Sequence, residues 1–70
     1  VLSAEEIHVL SLLGRGLDHP QIFKQHGIPV DTSRRHLRDA MRTLGAPNAL
    51  NAYALAVAHE LIPPDSALQE

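Results

Sequence analysis

Residues 32–44 read TSRRHLRDAMRTL. At about 100° per residue, Ser33, Leu37, Ala40 and Leu44 fall on one stripe of a helix, and Arg34, Arg35, Arg38 and Arg42 gather on the roughly opposite side. One face can pack against a core; the other can meet a polyanion. Arg34, Arg38 and Arg42 also follow each other at four-residue spacing. Each like-charge neighbour at that spacing costs an isolated helix about 0.2–0.5 kcal/mol, so a face that met only water would gain from alternating signs. The acids close by are Asp31 and Asp39, both nearest Arg35, which leaves the other three arginines without an expected acidic partner.

The rest of the chain sharpens this asymmetry. Net charge is −2 over 70 residues, with six Lys and Arg against eight Asp and Glu. That balance excludes a generic basic coat for nucleic acid. Four of the six cations sit in residues 32–44 beside one acid, so basic charge is concentrated at a single site and the remainder is acidic. Such focusing favours docking on a polyanion in one orientation.

Seventy residues make one domain, and a chain this short buries only about 60% of the surface its unfolded form exposes. With no cysteine, neither disulfides nor a thiolate zinc site can supplement the core, so helix packing must stabilise it. No apolar run approaches the length of a membrane span and no signal-peptide pattern opens the chain; a soluble, cytoplasmic location is expected. The absence of an initiator methionine at Val1 suggests a piece of a longer protein or a removed tag.

Local signals predict four helices. Ser3 with Glu6 reads as a capping box, flanked by Leu2 and Ile7 as a hydrophobic staple, so the first helix starts near Ala4. Its buried side is Ile7, Val9, Leu10, Leu12 and Leu13, and Gly14 and Gly16 stop it. Asp18 caps a short second helix through Gln25, with Pro20 in its first turn and Ile22 and Phe23 facing inward. Gly27 breaks that helix and the arginine helix follows within a few residues, the signature of a helix-turn-helix. Gly45, Ala46 and Pro47 end the third helix, and Asn48 with Asn51 can cap a fourth.

The fourth helix carries two apolar stripes where a surface helix needs one. Ala52, Leu55, Ala56 and His59 form the first; Leu50, Ala54, Val57 and Leu61 form the second, on the opposite face. The surplus stripe is expected to bind a second copy of the chain. Pro63 and Pro64 close the domain, taken as residues 1–63, and residues 64–70 read as a flexible tail.

From Leu2 to Ile62 the chain resembles the LuxR-type DNA-binding domain found at the C-terminus of bacterial transcriptional regulators, including NarL-like response regulators. The matching residues are LSAEE, VLSLLGRGL, Ile22 with Gly27 and Ile28, Thr32 with His36 and Leu37, Leu44 with Gly45, and Asn48 with Ala52. The resemblance implies an all-α, four-helix helix-turn-helix bundle. It further implies a third helix, about residues 31–44, in the major groove, a homodimer formed through the fourth helix on double-stranded DNA, and a missing N-terminal regulatory domain. By position, Arg34, Arg35 and Arg38 are the candidates for base contacts, since arginine bonds bidentately to guanine O6 and N7. Thr32, His36 and Arg42 are expected at phosphates, with lesser claims for Lys24 and for His19 at the start of the second helix. A bacterial cytoplasm, at the nucleoid when bound, is the implied location.

Several positions depart from the family pattern. Pro29 replaces the usual capping serine of the third helix, and Asp31 is expected to substitute as cap or through its charge. Ser33 stands where a buried valine is usual, Phe23 where an alanine is and His26 where a leucine is, so Phe23 is expected to fill space vacated at Ser33 or His26. Thr43 and Ala49 remove two cations common in the family, which lowers expected phosphate affinity. These departures motivate an alternative, a degenerate helix-turn-helix that contacts another protein. A second alternative is a promoter-reading domain of the sigma-factor type. His8, His19, His26, His36 and His59 show no three- or four-residue helical spacing, so neither a metal nor any other cofactor is expected. Nothing in the sequence pairs a nucleophile with a base or forms a phosphate loop, and no enzymatic activity is expected.

Overall fold

The structure is a computed structural model that describes residues 1–62; Pro63, Pro64 and the tail expected over residues 64–70 lie outside the described residues. It is all-helical, with α1 at Ala4–Gly14, α2 at His19–His26, α3 at Val30–Leu44 and α4 at Ala49–Ala58, and no strand among the described residues. No helix among them is long and apolar enough to cross a membrane.

The caps that start these helices are written in the sequence. Ser3 Oγ accepts the Glu6 N–H and Glu6 Oε1 accepts the Ser3 N–H, each at 3.1 Å, which satisfies two donors that α1 would otherwise leave open. Asp18 and Gln21 repeat the exchange at α2, at 2.8 and 2.9 Å. Asn48 Oδ1 accepts the Asn51 N–H at 2.8 Å to start α4. At α3 the N-cap is Pro29 and no side chain bonds the open N–H groups. Asp31 therefore acts on this terminus only through its charge in the first turn.

Alpha-helix α1 packs against both α3 and α4, and α2 is held mainly by α3. The shared core gathers Leu2, Leu10, Ala40, Ala52, Ala56 and Ile62, with Leu37, Leu44, Tyr53 and Val57 partly buried around it. Its residues are small where helices meet, which draws their axes together. Gly14 shows this most sharply, because a Cβ there would overlap the Tyr53 ring. At the other end of α4, Glu60 adopts a left-handed φ of 63° and the Leu61 N–H reaches the Ala56 carbonyl at 2.9 Å. That turn returns Ile62 to the core, where it is fully buried.

Four expectations change. Phe23 does not face inward: it is 55% exposed on α2, and the side chain that meets buried Ser33 is His19. In an eight-residue helix with one buried position, Ile22, the next residue turns about 100° away from the core. His59 is the exposed C-cap of α4 rather than a member of its inner stripe, because the helix ends at Ala58. Val57, placed on the outer stripe, is half-buried and packs on this chain's own core. The helix ends also move slightly, α2 running on to His26 and α3 beginning at Val30.

Gly14→Ala tests the close approach of α1 and α4. Alanine exceeds glycine in helix propensity by about 1 kcal/mol, yet inserting a methyl into filled space costs about 1–3 kcal/mol. Overlap with a ring leaves the second effect dominant, so urea and thermal melts should show a less stable variant. A gain in stability would contradict the packing.

Candidate nucleic-acid interface

The geometry of α3 begins with its inner stripe. Ser33 and Ala40 are fully buried, and Leu37 and Leu44 pack against the core. The opposite side then has no choice but solvent: Arg34, Arg35, Arg38 and Arg42 are all exposed. Among the described residues no carboxylate lies within ion-pair distance of Arg34, Arg35 or Arg38. Asp39, expected nearest Arg35, instead approaches Arg42 at 3.9 Å across three residues. Both side chains are open to water there, so this pair is worth little and leaves the Arg42 guanidinium accessible.

The remaining candidates fall around this row. Thr32 and His36, one turn apart on α3, are half-buried on the flank of the helix that turns toward α1. Lys24 is exposed near the end of α2. Positions 50 and 54 of the outer α4 stripe are exposed, Leu50 at 77%, whereas Leu61, expected on the same stripe, lies beyond the end of the helix after the turn at Glu60 and is 37% exposed.

His19 is tied down by a contact the sequence did not announce. Its Nδ1 lies 2.6 Å from Ser33 Oγ, a hydrogen bond between the first turn of α2 and the buried face of α3. Ser33 is the one buried polar residue of the described core, and this bond satisfies its hydroxyl. An unmade bond at such a site costs about 1–3 kcal/mol. The buried Ser33 hydroxyl is thus met by a histidine, and Phe23 stays outside. A phosphate contact from His19 is left to its other ring nitrogen.

Burial lowers the His19 pKa below its ordinary value, the Arg34 guanidinium lowers it further, and the Asp18 carboxylate opposes both.

The sequence did not single out His8 or His26 for binding. Their rings meet edge to face, with centroids 5.5 Å apart and planes at 85°. Together with Glu5, Thr32 and His36 they border a groove of about 430 Å³ that Gly27, Ile28 and Pro29 also line. Helical spacing has no signal for this cluster, because its members come from α1, the end of α2 and α3. Among the described residues no group of three or more His, Asp or Glu is arranged to hold a metal ion.

No protein-family model, curated protein or solved structure matches this chain. The functional reading therefore rests on the geometry of α3 and its surroundings.

A neutral His19 is favoured in the folded state, so folding releases protons wherever the unfolded histidine is charged. The associated stability is present above the unfolded pKa of about 6.5 and is lost as pH falls through that range. Chemical denaturation at a series of pH values should show stability declining from about pH 7.5 toward pH 5.5, and His19→Gln should flatten that decline. Ser33→Ala should cost about 0.5–1.5 kcal/mol at neutral pH. An unchanged slope in His19→Gln would assign the titration to another group.

Proposed function

We propose that this domain binds double-stranded DNA sequence-specifically, as a bacterial transcriptional regulator of the LuxR type does, with α3 in the major groove. The observation that carries this reading is the row Arg34, Arg35 and Arg38, exposed and without carboxylate partners on a helix whose other face is fixed in the core. A helix held that way presents its cations at fixed positions, as base reading requires. Arg34, Arg35 and Arg38 contact base edges; Thr32, His36 and Arg42, with lesser parts for Lys24 and His19, contact phosphate. The domain carries out no chemistry and works in the bacterial cytoplasm.

Base contacts from one helix are few, and a lone protomer should stay near the nonspecific range of about 10⁻⁴ to 10⁻⁶ M at physiological salt. Two copies on half-sites about one helical turn apart supply the remainder. Leu50 and Ala54 on α4 offer the apolar surface for that pairing, with Leu61 just beyond the helix end and Val57 contributing from its half-buried edge.

A second reading, a protein-contacting module, is favoured by Phe23, a large apolar side chain 55% exposed beside Lys24 on α2. It does not explain the arginine row.

Selection of bound duplexes from a random pool supplies the target; an inverted repeat is expected. On that target Arg34→Ala and Arg38→Ala should each lose about 1–3 kcal/mol of discrimination against a wrong base. Arg42→Ala should weaken all sequences alike and lower the salt slope by about one. Equal losses on selected and random duplex for all three variants would overturn the assignment.

A further inference from the structure

We infer that the groove between α1, the α2–α3 turn and α3 is a second phosphate site, in which His8 and His26, with His36, take a DNA backbone phosphodiester and take up protons as they do so. The inference rests on the duplex-binding reading above and extends it to residues outside the arginine helix. Three observations carry it: the convergence of imidazoles from three elements, the unsatisfied start of α3 beside them, and the place of the groove next to the arginine row.

The imidazoles His8 and His26 stand edge to face at 5.5 Å, and His36 borders the same groove from α3. An edge-to-face pair is content when one ring is neutral, because the electropositive edge of one meets the electron-rich face of the other. Charging both rings removes that attraction and sets two cations side by side. An anion seated between them reverses the balance, so binding and protonation favour each other. Imidazole is the side chain that makes this exchange between about pH 5 and 8.

The charged and titratable groups bordering the groove are Glu5 and His8 from α1, His26 from the end of α2 and His36 from α3; α4 contributes none of its lining. Glu5 is thus the carboxylate that competes with a bound anion. At the α3 edge, Thr32 supplies a hydroxyl, and the helix start lacks a side-chain cap because Pro29 occupies the N-cap. The first open N–H groups of a 15-residue helix therefore border the histidine cluster.

A duplex phosphodiester is the occupant that charge and position select. Thr32 and His36 occupy one flank of α3 and Arg35, three residues after Thr32, lies between that flank and the arginine face. A duplex lying against Arg34, Arg35 and Arg38 runs one of its backbones past this flank. The phosphodiester keeps its negative charge throughout the range in which imidazole titrates, so all the protons taken up go to the protein.

Fluorescence anisotropy of the protein with a labelled duplex, measured at about pH 6 and about pH 8 over several salt concentrations, tests this. Affinity should rise about five- to tenfold on going to the lower pH, and the salt slope should steepen by about 0.9, the increment for one added phosphate. The double variant His8→Gln/His26→Gln should lose that response, and Glu5→Gln should enhance binding, whereas His59→Gln, at the far end of α4, should retain the response. Circular dichroism checks that each variant is folded. The expected rise runs against the acid destabilisation linked to His19, so loss of fold cannot imitate it. A full pH response in His8→Gln/His26→Gln, or a flat response in the unaltered protein while duplex binding persists, overturns the groove and leaves the arginine face standing. Absence of duplex binding at both pH values overturns the arginine face and this site together.

Discussion

The inner face of α3 is narrow, and the rest of the molecule is arranged to keep it so. Ser33 and Ala40 are fully buried small residues, flanked by Leu37 and Leu44, and they set α3 down close against the helices beneath it. A helix seated on so slim a stripe cannot roll without exposing apolar surface or burying a guanidinium, and burial of an unpaired cation is prohibitive. The position of every arginine follows from that seating. The site is thus a consequence of packing on its reverse side.

The price of a small buried residue at position 33 is a hydroxyl that needs a partner, and His19 supplies it from α2 at 2.6 Å. This single bond joins the two helices of the turn at the point where their spacing decides where Arg34 projects. It also brings a titratable ring beside the arginine face, whose cation helps keep that ring neutral. Stability and charge presentation are therefore coupled through one contact. Gly27 makes the geometry possible from the other side: its φ of 74° lets the chain reverse within three residues between α2 and α3, a conformation that a side chain disfavours.

The domain is economical in its core, with alanines at 40, 52 and 56. Close helix approach compensates, as at Gly14 beneath the Tyr53 ring. Such a core gives little tolerance for added volume. It also leaves apolar groups outside, Phe23 on α2 and Leu50 on α4, which a small chain lacks the interior to hold.

Much of this was legible along the chain because it depends on neighbours a few residues apart. The capping pairs Ser3–Glu6, Asp18–Gln21 and Asn48–Asn51, the glycine stops, and the division of α3 into a packing stripe and an arginine face are all local, fixed by cap chemistry, glycine conformation and helical periodicity respectively. What required the tertiary structure was every relation between elements. Fourteen residues separate His19 from Ser33, and no spacing rule connects them. The meeting of His8 with His26 and the outward turn of Phe23 depend on how helices are set against each other, whereas the approach of Asp39 to Arg42 lies within α3 at a spacing of three residues. Periodicity states which side of a helix is apolar; only packing determines what that side, and the side opposite, will touch.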